Sequence, residues 1–350
     1  MVLPELPGEA VTEFDAILLT SFGGPEGSAE VEPFLRNVAS GREIPEERLI
    51  QVKEQYGLFG GISPINQQNR ELIEALREEL DKNGIPLPIY FGNRNWKPFL
   101  KDTIEVLHKE GKRNVLALVT SAFGSYSGCR QYQEDLQNAI SEAGAHDLKM
   151  QKIRLYWNHP GFFAAMQSIL SSALLSLDDD IKKSTRLVFT AHSIPSAWEE
   201  FSPYKSQLLD FAESLSASVA SDLRWDLAFQ SRSGPPTIPW LEPDILDYLE
   251  TLDPATTSQV VLIPIGFLSD HMEVIYDLDN QALPHAETLG FKALRTPTVG
   301  THHEFVTGLR QLIEEKVGGK EPLVAFGEIW ECSAKCCSIP SHHLSAPSKD

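Results

Sequence analysis

The sequence predicts an α/β protein of two Rossmann-like, doubly wound lobes, each with a four-stranded parallel sheet, around a central cleft. Three observations carry this. Eight short apolar, β-branched runs alternate with long amphipathic stretches, as parallel strands joined by helical crossovers do. The length of 350 residues corresponds to about two domains. Two of the apolar runs in the second half end in groups that can move protons or hold metal, and ligand sites in open sheets collect beyond the carboxyl ends of strands.

In chain order the strand-like runs are 16–20, 89–91, 115–120, 153–156, 187–190, 227–230, 260–265 and 292–295. They split four and four, with a first lobe over 1–150 and a second over 151–317. Stretches such as 67–83 and 206–221 have helical patterning and supply the crossovers. The two halves share architecture but no clean sequence repeat. The remainder, 318–350, carries three cysteines and then a polar Ser/Pro/His stretch whose end is expected to be disordered.

Composition is that of a globular chain, 42% hydrophobic and 23% charged. No apolar run reaches the roughly 18 residues of a membrane span. The start, MVLPELPGEAVTEFD, lacks the basic region and apolar core of a secretory signal, so a cytoplasmic location is expected. The 49 acidic against 30 basic residues give a formal charge of −19, which argues against nucleic acid or an anionic membrane as a partner. An anionic small ligand needs only a local pocket, and an acidic cleft would draw in cations.

His192 stands where the fifth run ends and Pro195 forces a turn. A histidine there either bonds a neighbouring carbonyl or serves as base or metal ligand, since it titrates near neutrality. After the seventh run, Asp270 and Glu273 have the spacing of a capping box, which would make Glu273 only a helix-start residue. Against that, Glu273, Asp277 and Gln281 are spaced by four on one helix face, a stripe of oxygen ligands able to conduct a cation. Gly23 to Gly27 does not fit a dinucleotide fingerprint, and no Walker A motif is present, so a nucleotide-dependent enzyme is disfavoured. The glycine-rich run 57–66 leads into a helix; Ser63 is there an N-cap before Pro64, a carboxylate site, or both. Beyond the third run, 125–132 offers hydroxyls and a basic group. Cys332, Cys336 and Cys337 crowd into six residues, and Cys129 is the only other cysteine. Four thiolates suit an iron–sulfur cluster or a structural zinc, although the spacing is neither a zinc ribbon nor a ferredoxin run.

Six segments in order resemble one family, the ferrochelatases, which insert ferrous iron into a porphyrin. They are LLTSFGGPEG (18–27), EQYGLFGGISPIN (54–66), YFGNRNWKP (90–98), FTAHSIP (189–195), FQSRSGPPTIPWLEPD (229–244) and PIGFLSDHMEVIYDLD (264–279). The resemblance implies two Rossmann-like lobes around a porphyrin cleft, in agreement with the strand count. It implies that His192 and Glu273 are the catalytic and metal-handling pair, with Asp277 a further metal ligand. Ser63, Tyr132, Phe22 and Tyr126 match porphyrin-binding positions, and Cys129, Cys332, Cys336 and Cys337 match the ligands of a [2Fe–2S] cluster. Fe2+ is then the substrate metal.

The run from Tyr126 to Tyr132 and the cysteine tail look like the actinobacterial branch, which acts on coproporphyrin III in haem biosynthesis. Membrane-bound protoporphyrin IX enzymes carry an apolar lip after the first strand, where this chain has the charged run 38–48. The implied protein is a monomer without an integral membrane part, in transient contact with neighbouring haem-pathway enzymes. Two positions depart from the family: some relatives have an iron-binding tyrosine near Phe22, and a carboxylate often stands where Gln281 does. The alternatives are a protoporphyrin IX ferrochelatase, a cobalt chelatase, or a two-lobed haem- or metal-binding protein without turnover.

Overall fold

The computed structural model describes residues 13–40, 44–178, 182–234, 237–330, 332 and 336–338. The first strand, β1 (Ala16–Ser21), is buried along its whole length, as a central parallel strand covered on both faces must be. It lies between β2 (Ile89–Asn93) and β3 (Asn114–Val119), with β4 (Lys149–Lys152) outside β3; all pairings are parallel. The second sheet repeats this order: β5 (Thr185–His192) lies between β6 (Arg224–Gln230) and β7 (Gln259–Ile263), with β8 (Lys292–Arg295) outside β7. In each sheet the chain winds one way from the central strand and then crosses to its other side. The switch points therefore lie between β1 and β3 and between β5 and β7, where clefts open at the strand ends.

One expected strand is displaced. The run 153–156 is not the fourth strand; β4 precedes it, and the first sheet reaches Lys152, beyond the expected boundary at 150. The reason is burial of a different kind. Leu155, Tyr156 and Trp157 are buried at the junction of the lobes, while KMQK of β4 is an edge strand with little apolar content. Only Ile153 continues the ladder, donating its backbone N–H to Ala117.

The lobes are joined by one continuous apolar core. Phe123, Tyr156, Phe162, Phe211 and Phe305 pack in edge-on and tilted contacts 5.1–6.4 Å between centroids. The helix His303–Val317 spans both halves. Gly308 lies against Gly161 of the helix Pro160–Leu175, where a Cβ on Gly161 would come within 2.5 Å of the Gly308 Cα. On its other side Arg310 pairs with Glu79 of the first-lobe helix Ile65–Lys82, 2.9 Å away. Among the described residues no helix is long and apolar enough to cross a membrane. The expected disorder of the tail's end lies outside the described residues.

The junction holds a pH-sensitive cap. His159 is 1% exposed and its Nδ1 accepts the Gly161 backbone N–H at 3.1 Å, opening the helix Pro160–Leu175. Burial, assisted by the charge of Arg154, pulls its pKa down to about 4. A histidine held neutral in the folded state leaves the unfolded chain binding more protons below its ordinary pKa. Stability from this group is therefore intact above about pH 6.5 and lost as pH falls toward 4, by on the order of 3 kcal/mol. His159→Asn, which keeps a capping acceptor without a titrating ring, should lose less stability in urea unfolding between pH 7 and pH 5 than the parent. Equal losses in the two proteins would remove His159 as the cause.

Candidate active site

His192 is the last residue of β5, level with Gln230 of β6. Its Nδ1–H donates to the carbonyl of Ser193, which leaves Nε2 as the nitrogen with a free lone pair. Nε2 stands 3.6 Å from Glu273 Oε1. The Tyr204 hydroxyl donates to the His192 carbonyl at 3.0 Å and fixes the strand end. The imidazole thus has one defined orientation toward a carboxylate on the other side of the switch point.

Glu273 follows β7 on a one-turn helix, Met272–Val274. The expected capping box is absent: His271 is the N-cap, its Nδ1 accepting the Glu273 N–H at 3.2 Å, while Asp270 is drawn away by Arg295 at 2.7 Å. Arg295 offers the Asp270 carboxylate a full opposite charge, where the cap position offers only a backbone N–H. Met272 packs into a first-lobe aromatic cluster with Phe34, Tyr56 and Trp96, and the Asp270 N–H bonds Gln68 of the first lobe at 2.8 Å. The second lobe's acid is thereby anchored to the first. The Glu273 side chain is still 47% exposed, so the pair faces an open cleft.

The helix beyond Glu273 is not a plain α-helix. Ile275–Ala282 is a π-helix and returns to α-helix only at Leu283–Thr288. The spacing of four among Glu273, Asp277 and Gln281 therefore does not define a straight α-helical stripe, since a π turn is wider. Asp277 is held through the Ser231 hydroxyl, and Ser231 itself has φ 64°, a left-handed conformation that favours glycine. Gln230 donates to the Glu273 carbonyl at 2.7 Å.

These contacts separate the titrations. Burial would lower the His192 pKa, but Glu273, the Ser193 carbonyl and Asp277 outweigh it and raise it. Although Glu273 is half exposed, the cleft walls strip water from it and would raise it, yet His192 and then His271 hold it below the ordinary carboxylate range. Asp277 is pushed up to about 7, chiefly by burial, with Ser231 opposing and Glu273 adding to the rise. His271 is lowered by burial, with Glu273 partly opposing. The cluster holds one ionised carboxylate beside an imidazole and a second carboxyl poised near neutrality, the separation that acid–base work requires.

Of the expected porphyrin contacts, Phe22 is 39% exposed just beyond β1, edge-on to Phe34. Tyr126 donates to Glu134 at 2.9 Å and packs on Trp198 of the second lobe, with centroids 5.4 Å apart. Ser63 and Tyr132 are buried. Ser63 is not the N-cap, because the helix begins at Ile65 after Pro64; it lies instead against Gly24. Tyr132 lies beneath Arg94, whose guanidinium is 4.4 Å from the ring centre and pairs with Asp135 at 2.5 Å. Arg94, Gln230, Ser231 and His271 join the site only through the fold; the signal for them in the sequence is their place in the family-like segments 90–98, 229–244 and 264–279. Leu58 and Ile62, 66% and 49% exposed, add apolar surface on the glycine-rich loop.

The four cysteines come together in a group of their own. Cys129, on the π turn Tyr126–Arg130, touches Cys332 and Cys337, and Cys336 touches Cys332 and Cys337, closing a ring. Cys336 and Cys337 sulfurs are 3.5 Å apart. Hydrogen bonds from Cys332 and Cys337 hold Cys129 well below the ordinary thiol range, and Cys332 and Cys337 hold Cys336 at about 3. Lys152 Nζ donates to Cys129 Sγ at 2.7 Å and Trp330 Nε1 to Cys336 Sγ at 3.3 Å. Among the described residues no three His, Cys, Asp or Glu side chains enclose a single-metal position; the thiols meet pairwise instead.

Residues 14–317 match the family model described as Ferrochelatase. The chain is 45% identical to a ferrochelatase of Rhodopirellula baltica, with 93% of each chain covered. It is 46% identical to a coproporphyrin III ferrochelatase of Streptomyces coelicolor, with 96% of each covered. It is 43% identical to the Mycolicibacterium smegmatis protein of the same description, covering 90% of this chain and 95% of that one. Among solved structures, the sirohydrochlorin chelatase SirB from Bacillus subtilis subspecies spizizenii, in complex with cobalt, aligns with a TM-score of 0.52 at 9% identity, covering 87% of this chain and 95% of that one. That likeness is one of fold.

Proposed function

This chain belongs to the ferrochelatase family, and on that premise we propose that it inserts ferrous iron into coproporphyrin III to give Fe-coproporphyrin III. The observation that carries the reading is the His192–Glu273 pair, held at 3.6 Å at the mouth of the second sheet and anchored to the first lobe through Met272. Insertion removes two protons from the porphyrin nitrogens and water from the iron. His192 Nε2 accepts the two pyrrole protons in turn as general base, releasing the first to solvent through the open cleft before it takes the second. Glu273 stabilises the imidazolium and, with Asp277, offers oxygen to the incoming Fe2+. Phe22, Leu58 and Ile62 give the macrocycle apolar surface.

The coproporphyrin preference is supported by the names of the actinobacterial relatives and by the lip helices. Ser28–Ala39 and Glu46–Gly57 are tied on their exposed faces by Arg36–Glu32, Arg36–Glu46 and Lys53–Glu32 ion pairs, which suit water better than lipid. Residues 41–43 of the charged run lie outside the described residues. The same reading makes the protein a cytoplasmic monomer that hands its product on by transient contact.

Four thiols in a closed ring fit a [2Fe–2S] cluster in number and donor type. Cys129, Cys332, Cys336 and Cys337 would hold it, and the bound cluster would supply a cross-link between tail and first lobe. Iron insertion changes no oxidation state and needs no electron from it.

Anaerobic insertion of Fe2+ into coproporphyrin III and protoporphyrin IX, followed by absorbance, tests the reading. The two additional carboxylates of coproporphyrin III should raise kcat/KM about tenfold or more, since a charge-assisted hydrogen bond contributes roughly 1.5–3 kcal/mol. An equal or higher value for protoporphyrin IX overturns the preference; no insertion into either porphyrin favours a binding protein without turnover.

A further inference from the structure

We infer that Lys152 is a fifth member of the cysteine site, its ammonium seated on the Cys129 sulfur to retain and tune the cluster that the thiolates bind. The inference rests on the cluster reading above. Lys152 is the last residue of β4, level with Ala117 of β3, and Ile153 beyond it is pinned by its hydrogen bond to Ala117. The strand end is therefore rigid, and it presents Nζ 2.7 Å from Cys129 Sγ. Other lysines of this protein, such as Lys53 and Lys320, reach carboxylates on Glu32 and Glu314. The Lys152 partner among the described residues is a thiol. Trp330 approaches Cys336 in the same manner from the tail, so the ring of sulfurs receives one donor from each end.

The chemistry gives the contact a direction. A [2Fe–2S] centre ligated by four thiolates carries net negative charge, and one-electron reduction adds more. Hydrogen bonds to the sulfurs and nearby charge set the potential of such centres, and outer groups that orient the ligands govern metal retention. A cation in contact with one sulfur, in surroundings drier than bulk water, stabilises the reduced form. It also lowers the repulsion among the thiolates in the oxidised form. Lys152 therefore raises the midpoint potential and slows cluster loss.

The test uses the full chain, purified without oxygen, as wild type, Lys152→Met and Lys152→Arg. Iron, acid-labile sulfide and visible absorbance are measured first. Redox titration followed by electron paramagnetic resonance, and cluster half-life against a chelator, come next. Wild type is expected to hold the cluster. Lys152→Met should shift the reduced-to-oxidised ratio at fixed potential about tenfold toward the oxidised form, 59 mV for a one-electron couple, or lose its cluster while remaining folded by circular dichroism. Lys152→Arg, which keeps charge and donors, should restore both properties. A cluster-loaded Lys152→Met with wild-type potential and lifetime overturns the inference and leaves the cluster reading standing, as does a loss that Lys152→Arg fails to rescue. Wild-type protein without iron and sulfide, or with zinc in their place, overturns both. Should Lys152→Met not fold, Lys152→Gln is read by the same criteria.

Discussion

His192→Ala should leave a folded protein whose iron insertion has fallen about a thousandfold or more, within the range that a positioned general base contributes. The ring is 29% exposed at a strand end and belongs to no core cluster, so its removal leaves no large internal cavity. Its partners survive without it: Tyr204 bonds the backbone carbonyl of residue 192, and Gln230 still bonds Glu273. What disappears is the nitrogen that stands 3.6 Å from Glu273 with its lone pair toward the cleft. Turnover under anaerobic conditions, together with porphyrin binding by fluorescence quenching, separates the effects. Binding should persist while kcat collapses. Substantial turnover in a folded His192→Ala protein would remove His192 from the chemistry.

Glu273→Gln should cost about a hundredfold in kcat/KM and should also move the pH profile, which a packing defect would not do. His192 must be neutral to accept a proton, so activity rises as pH climbs through its pKa. In the parent, burial would lower that pKa but Glu273 and its neighbours raise it above the ordinary value. With Gln the largest raising charge is gone and burial remains, so the acid limb should shift to lower pH. Asp277 moves the same way: burial holds it at about 7 against Ser231, and Glu273 adds to the rise. The limb reports the pair rather than either residue alone. A profile of kcat/KM through the neutral range in which the acid limb stays put, or moves up, contradicts this assignment.

The fold was largely legible because burial on both faces writes parallel strands as apolar runs. β1, β3, β5 and β7 are such strands, and each coincides with an expected run to within a few residues. β4 was misplaced because an edge strand of Lys, Met, Gln and Lys carries no such signal, whereas the lobe junction beside it does. The site divides similarly. His192 and Glu273 stand out because each follows an apolar run at a strand end, where ligand sites of open sheets collect. Arg94 does not, because its neighbours Tyr132 and Asp135 are 38 and 41 positions away and meet it only through folding.

By itself the sequence determined the two-sheet α/β plan, the residue types available for proton transfer and metal handling, and the family to which the chain belongs. These follow from local facts: side-chain polarity, periodicity and short motifs. Only the tertiary structure decided that His271 rather than Asp270 caps the turn bearing Glu273, that the following helix widens into a π turn, and that Lys152 rests on Cys129. Each is a competition between partners far apart in the chain. Asp270 leaves its cap because Arg295 offers charge, and Lys152 meets Cys129 because β4 ends beside the π turn Tyr126–Arg130. A linear pattern records which groups can pair; which pairing prevails depends on distances and desolvation that exist only once the chain has closed on itself.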